Sequence, residues 1–249
     1  MIDRPLRDAL HRAAGAPVLL IASDYDGTLS PIVDDPAAAI PHDAALATLI
    51  EACDLPGVTG LIISGRSLDV LARLTGAPDS ITLIGTHGAQ SEHAVPPDPD
   101  TSRAISELTE ELREIADTHD GAVLELKPSG AALHYRHVED PGAMLATVAD
   151  VASHSDARVI EGKKVVEFVI GDGDKGTAVE QHRASVSADI VVFFGDDVTD
   201  EDVFALLGSD DVGVKVGPEA TLARYRVDDP DGVAEALKIL VSERRSIRK

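Results

Sequence analysis

The sequence predicts an α/β fold: a three-layer core built on a mostly parallel sheet, interrupted by a smaller α+β insert. Three observations carry that prediction. Short runs that are apolar throughout alternate with stretches of helical character, the pattern of parallel strands covered on both faces. Those runs end in polar clusters rich in Gly and Asp, as at the carboxyl ends of strands, where such sheets bind ligands. In the middle of the chain the order becomes helix, strand, strand, helix, strand, strand, which describes a compact α+β unit.

Taken in order, residues 1–17 read as a short N-terminal helix, and Val18 to Ser23 (VLLIAS) as a buried strand ending at Asp24. A helix over Asp43 to Ala52 leads to a second strand, Gly60 to Ile63 (GLII), which runs into Ser64-Gly65-Arg66. The helix Ser67 to Leu74 precedes a third strand, Ile81 to Ile84 (ITLI), ending in Gly85-Thr86-His87-Gly88. Val95 to Asp100 (VPPDPD) reads as a linker, because its prolines and aspartates disfavour helix and central strand. The insert then follows: a helix at Thr101 to Thr118, strands at Ala122 to Lys127 and Ala131 to Arg136, a helix at Pro141 to Ser153, and strands at Ala157 to Ile160 and Lys164 to Ile170. The core resumes with a helix from Gly176 to Ala184 and a strand, Asp189 to Phe194 (DIVVFF), that ends in Gly195-Asp196-Asp197. Glu201 to Leu207 reads as helix, Val212 to Val216 as a weaker strand, and 242–249 (SERRSIRK) as a basic, frayed tail. These boundaries put the core at 1–95 and 172–249 and the insert at 96–171.

Composition narrows the function. Against 44 acidic residues stand 22 Lys and Arg, a formal charge of -22, and no basic stripe offsets it, which argues against nucleic acid as a partner. The apolar run Val18 to Ala22 is too short to cross a membrane. A lone Cys53 excludes an intrachain disulfide and a cysteine-rich metal site and fits a reducing, cytoplasmic setting. With no Trp, three Tyr and four Phe, the core has to be aliphatic. An anionic small molecule remains a possible substrate if a pocket gathers positive charge. No feature signals an oligomeric state.

Four clusters carry chemistry. Asp24-Tyr25-Asp26-Gly27-Thr28 sets two carboxylates two residues apart at a strand end. Such a pair can divide labour, one ionised as a nucleophile and the other protonated for part of a cycle as general acid. Gly27 permits a sharp turn, and Thr28 can donate to an oxyanion or steady the loop. Alone, the motif is equally a plain turn or a metal site without catalysis. Ser64-Gly65-Arg66 offers a hydroxyl and main-chain N–H groups to phosphate oxygens, with Arg66 adding charge, closing the loop or starting a helix. Lys175, ahead of Gly176, can bridge a nucleophile and a transferring phosphoryl group, or be a solvated lysine. Lys163 and Lys164 are rivals inside the insert. The fourth cluster is Gly195-Asp196-Asp197-Val198-Thr199-Asp200-Glu201-Asp202. Asp200 and Glu201 have a structural reason to open a helix, Asp196 and Asp197 a weaker one. Carboxylates crowded at one sheet edge repel unless a cation joins them, and oxygen-only ligands favour Mg²⁺ over Zn²⁺.

In this order and spacing, DYDGT, SGR, Lys175-Gly176 and GDDVTDED resemble the haloacid-dehalogenase superfamily of phosphotransferases. The resemblance implies a Rossmannoid core with a C2-type cap as the insert. It implies that Asp24 becomes an aspartyl-phosphate and that Asp26 protonates the leaving oxygen and later activates water. Ser64 and Lys175 would bind the phosphoryl group, with Thr28, Gly65 and Arg66 beside them. Asp196 would ligate Mg²⁺ together with the Asp24 carboxylate and the Asp26 main-chain carbonyl, and Asp197 or Asp200 would support that site.

Finer features, DYDGTLSPI, GTHGAQ, Glu125-Leu126-Lys127, Leu133-His134-Tyr135-Arg136 and GDDVTDEDVF, are similar to the trehalose-6-phosphate phosphatase family. That similarity implies hydrolysis of trehalose 6-phosphate to trehalose and phosphate, with Glu125, Lys127 and Glu167 gripping the sugar. Glu125 and Lys127, at i and i+2, are otherwise an exposed strand face. His87 is either a substrate contact or a loop-orienting histidine. The chain departs from the family in one place: Glu167-Phe168-Val169-Ile170 lacks the Arg-Pro that follows the Glu, which removes one sugar or phosphate contact. Rival readings are a phosphatase for sucrose phosphate or a glycosyl-phosphoglycerate, a phosphomutase, and a noncatalytic sugar-phosphate binding module. The last would have a replaced Asp24 or Asp26, and neither is replaced.

Overall fold

The computed structural model describes residues 2–33, 35, 38–90, 98–127, 129–162, 164–171 and 174–247. Residues 95–97 of the expected linker, the insert boundaries at 96 and 172, and Lys163 lie outside the described residues. The chain divides into two compact units, Met1–Glu92 with Asp174–Lys249, and His93–Gly173.

The first unit begins with α1 (Arg4–Ala14), β1 (Leu19–Asp24), α2 (Asp43–Cys53), β2 (Val58–Ile63), α3 (Leu68–Thr75) and β3 (Ile81–Ile84). The second unit holds α4 (Pro99–Thr118), β4 (Val123–Lys127), β5 (Gly130–His134), α5 (Gly142–His154), β6 (Arg158–Gly162) and β7 (Val165–Val169). The first unit resumes with α6 (Lys175–Val186), β8 (Ile190–Gly195), α7 (Glu201–Leu206), β9 (Val212–Val216), β10 (Tyr225–Val227) and α8 (Pro230–Ile247).

Six strands form a parallel sheet in the order β10-β9-β8-β1-β2-β3. The α/β expectation holds. Every residue of β1 is buried, because β2 and β8 flank it and helices cover both of its faces. Alternation sends Leu19 and Ile21 into a cluster with Leu6 and Leu10 of α1, Leu49 of α2 and Leu237 and Leu240 of α8. Leu20 and Ala22 pack on the other face with Val179 of α6, Phe193 of β8 and Val203 and Phe204 of α7. Crossovers on both sides of β1 leave the first strand central, so its carboxyl end sits where the strand order reverses.

The second unit is an antiparallel sheet, β4-β5-β7-β6, with α4 and α5 packed on one face. Leu108, Leu112, Met144, Val148 and Val151 of the helices meet Ala131, Leu133, Val166 and Phe168 of the sheet.

Two local expectations are corrected. The prolines and aspartates before Thr101 do not exclude helix: Asp98 accepts from the N–H groups of Asp100 (2.9 Å) and Thr101 (3.1 Å) as an N-cap. Pro99 then occupies the first turn, where its missing N–H costs nothing. Residues 242–247 are not a frayed tail but the end of α8, whose buried face runs from Val233 through Leu237 and Leu240 to Arg244. The Arg244 side chain is 1% exposed and donates to the carbonyls of Ala14, Ala16, Pro17, Pro56 and Gly57, tying the segments that enter β1 and β2. Among the described residues no helix is long and apolar enough to cross a membrane.

Candidate active site

β1 delivers Asp24 to its carboxyl end as a buried residue. The chain then folds back at once, with the Ser30 N–H donating to the Tyr25 carbonyl (2.8 Å) and the Gly27 N–H to the Ser30 carbonyl (2.7 Å). The Tyr25 ring is buried, and its hydroxyl donates to the Ala39 carbonyl at 2.6 Å, pinning the loop that follows. Gly27 has φ +79, and a Cβ there would lie 2.0 Å from Asp196 Oδ2. Only a glycine permits both the turn and the approach of the second acidic loop.

Lys175 begins α6, capped by Asp174, and is 2% exposed. Its ammonium donates to Asp24 Oδ1 at 2.6 Å and to Asp200 Oδ1 at 2.7 Å. The other oxygen of Asp200 accepts from the N–H groups of Asp196 and Asp197, each at 2.9 Å. Asp24, Asp196 and Asp200 thus present carboxylate oxygens within 4.8 Å of one another. Burial alone would lower the Lys175 ammonium, but Asp200 and Asp24 reverse that and hold it above its ordinary value. Burial pushes the Asp24 carboxyl well up, opposed by Lys175 and reinforced by Asp200 and Asp196. Burial, with Asp200 beside it, pushes Asp196 up to about 7. An oxygen-only set in which two acids are driven above their usual range by burial, with neighbouring carboxylates adding to it, suits a hard divalent cation, which would offset both the lost solvation and the repulsion.

Thr28, fully buried, donates to Asp196 Oδ1 at 3.4 Å, so it faces the carboxylate cluster. Ser64 is buried at the end of β2 and its hydroxyl accepts from the Arg66 N–H at 3.1 Å. The His87 N–H donates to the Ser64 carbonyl (3.0 Å), and the Thr86 N–H to the Arg66 carbonyl (2.8 Å). The His87 ring lies against Gly65, where a Cβ would come within 2.4 Å of Nε2. Arg66 is engaged with Asp26, giving Nε to Oδ2 at 2.7 Å and Nη2 to Oδ1 at 2.6 Å, with its guanidinium 5.6 Å from the Tyr25 ring centre. Asp197 stands outside the carboxylate cluster: it is exposed, and Oδ1 accepts from the Val198 N–H at 2.7 Å as a cap.

In the second unit, Glu125, Ala132 and Glu167 are in register across β4, β5 and β7, on the sheet face opposite α4 and α5. Lys127 Nζ is 2.7 Å from Glu167 Oε1, both side chains being largely buried, and His134 Nε2 is 2.9 Å from Glu125 Oε2. The His134 contact, with Lys127 nearby, holds Glu125 below its ordinary range.

Sequence reasoning passed over Lys215, a fully buried side chain in β9 that donates to the Asp196 main-chain carbonyl. A lysine inside the otherwise apolar run VGVKV was the available signal.

Residues 22–231 match the family model described as trehalose-phosphatase. The chain is 34% identical over 249 residues to a trehalose-phosphate phosphatase of Mycobacterium avium, covering 88% of this chain and 61% of that protein. It is 32% identical to a bifunctional trehalose-6-phosphate synthase/phosphatase of Thermoproteus tenax, covering 89% of this chain and 32% of that protein. The chain therefore spans between a third and three fifths of these curated relatives. Among solved structures, the C-terminal domain of Candida albicans trehalose-6-phosphate phosphatase superposes with a TM-score of 0.79 at 26% identity, covering 97% of each chain. The fold is that of the haloacid-dehalogenase-like hydrolases.

Proposed function

The chain belongs to the trehalose-phosphatase family, and on that premise we propose that it hydrolyses trehalose 6-phosphate to trehalose and inorganic phosphate through an aspartyl-phosphate on Asp24. The observation that carries this reading is the buried Lys175 ammonium joining Asp24 to Asp200 at the carboxyl end of the central strand.

Asp24 is the nucleophile. Its carboxylate oxygen forms a bond to phosphorus as the bond to the sugar oxygen breaks, and Asp26 gives that oxygen its proton. In the second half, water attacks phosphorus, Asp26 takes the proton, and phosphate leaves with Asp24 restored. Lys175 offsets the charge of nucleophile and phosphoryl group, while the Ser64 hydroxyl, the Gly65 N–H and Thr28 hold phosphoryl oxygens. Arg66, which pairs with Asp26, is assigned to the phosphate side of the site, where its charge would add to that of Lys175. A divalent cation, assigned here as Mg²⁺, would be held by Asp24, Asp196 and the Asp26 main-chain carbonyl, with Asp200 behind them rather than Asp197, and supplies neutralisation of phosphate charge.

We assign residues 96–171 as a C2-type cap and Glu125, Lys127 and Glu167 as contacts to sugar hydroxyls, carboxylates accepting and the ammonium donating. His87 is assigned to orienting the Gly65 turn. The lone Cys53 agrees with a cytoplasmic setting.

The test is Mg²⁺-dependent phosphate release from trehalose 6-phosphate beside the phosphates of sucrose, glucose and mannosylglycerate. Selective release from the trehalose ester supports the reading. Release from another sugar phosphate alone would keep the mechanism and remove the substrate assignment.

A further inference from the structure

Lys215 is a charged side chain placed where a strand core would ordinarily take an aliphatic one. Its neighbours Val214 and Val216 enter the cluster shared with α1 and α8, so alternation sends Lys215 to the opposite face of β9. The residue is 2% exposed, and desolvating an ammonium is costly unless its partners compensate. Its partners are specific. In register with Gly195, the last residue of β8, Lys215 reaches the residue that follows the strand and donates to the Asp196 main-chain carbonyl, while Nζ lies 3.8 Å from Glu201 Oε1. Glu201 is itself held by the Leu222 N–H, which donates to Oε2 at 2.7 Å.

Asp196 is consequently gripped from both sides of its backbone. The Asp200 carboxylate takes its N–H, and the Lys215 ammonium takes its carbonyl. Its own carboxylate is met by Thr28 at 3.4 Å and by the Asp24 side chain. The fixed main chain beneath it sets where that carboxylate starts and so keeps it within reach of Asp24 and Asp200. We propose that Lys215 is a positioning residue of the cation site, acting through the Asp196 backbone; this rests on reading the carboxylate cluster as the place where Mg²⁺ binds.

Positioning and simple charge balance predict opposite signs. If Lys215 only offset nearby acids, removing it would strengthen binding of a dication. If it fixes Asp196, removing it weakens binding. The experiment is calorimetric titration of Mg²⁺ alone into the full chain and its variants, each checked for native folding by near-ultraviolet circular dichroism. Lys215→Met is expected to raise the Kd for Mg²⁺ at least tenfold. Lys215→Arg, which keeps a donor for the carbonyl, should recover at least half of that loss on a logarithmic scale. An unchanged or lower Kd in Lys215→Met overturns the proposal, and so does an arginine variant as weak as the methionine one, which would assign the effect to packing. Should Lys215→Met fail to fold, Lys215→Gln, which removes the charge and shortens the reach but stays polar, carries the test: a raised Kd supports the role, and an unchanged or lower one refutes it. A wild-type chain that binds no Mg²⁺ would instead sink the reading of the cluster itself.

Discussion

Replacing Lys175 by methionine keeps all but the last atom of the side chain and removes its charge. Lys175 is 2% exposed and its partners Asp24 and Asp200 are 4% and 0% exposed, so water cannot substitute for the lost ammonium. Breaking a buried pair from one side costs about 3–5 kcal/mol, because the partner charge is left uncompensated. The metal-free fold can escape only by protonating one carboxyl. For a group of ordinary pKa near 3.9, that costs about 4 kcal/mol at pH 7 and about 1.5 kcal/mol at pH 5. The two routes agree near 4 kcal/mol at neutral pH. For a chain of this size that lowers Tm by roughly 8–17 °C at pH 7 and roughly 3–6 °C at pH 5. The sign follows from Lys175 acting to lower the Asp24 carboxyl: without it the folded variant keeps that proton to higher pH than the folded wild type does, so the deficit shrinks as pH falls. The assay is thermal unfolding of Lys175→Met and wild type in chelator between pH 5 and 8. A deficit that is absent at pH 7, or that does not shrink toward pH 5, would refute the argument that Lys175 neutralises this pair.

Three further outcomes are expected. Asp26→Asn should lower kcat/KM for trehalose 6-phosphate by about 10²–10⁴-fold, yet leave p-nitrophenyl phosphate far less affected, since a phenolate leaves without a proton; equal losses would deny Asp26 the acid role. Beside the share of the raised Asp24 carboxyl, Asp196, raised to about 7 before a cation binds, should contribute close to one proton to the release on Mg²⁺ binding at pH 6 and almost none above pH 8, read by calorimetry in buffers of different ionisation enthalpy. By the same shift its contribution to metal-free stability is fully present below the unfolded pKa near 4 and is lost as pH rises through about 7. Arg244→Met, which strips a donor from carbonyls at Ala14, Ala16, Pro17, Pro56 and Gly57, should cost about 2–4 kcal/mol in denaturant unfolding while KM stays unchanged.

The legible parts of the fold were the apolar runs and their ends. VLLIAS and DIVVFF have no polar face, so they had to be central, and Asp24 and Asp196 stand where they stop. What proximity alone decides was not readable. That Arg66 grips Asp26 depends on β2 lying beside β1, and that Asp200 joins the carboxylate cluster while Asp197 does not depends on one turn of helix. Local signals also misled where they had two meanings. The run SERRSIRK looks solvated, yet Arg244 continues the buried face of α8 one turn past Leu240. Asp98-Pro99 looks like a linker and is a helix start, because the residues that break a helix interior are the ones that begin it. Three residues of β10, with Arg226 at the centre, are too few to show a period.

The most direct test of the account is to mix the chain and Mg²⁺ with trehalose 6-phosphate carrying a radiolabelled phosphate, quench in acid within a single turnover, and map the label. The account predicts an acid-stable, hydroxylamine-labile label on the peptide containing Asp24, absent in Asp24→Asn. Phosphate released at the normal rate with no label on that peptide, or an Asp24→Asn chain that still turns over, would contradict it.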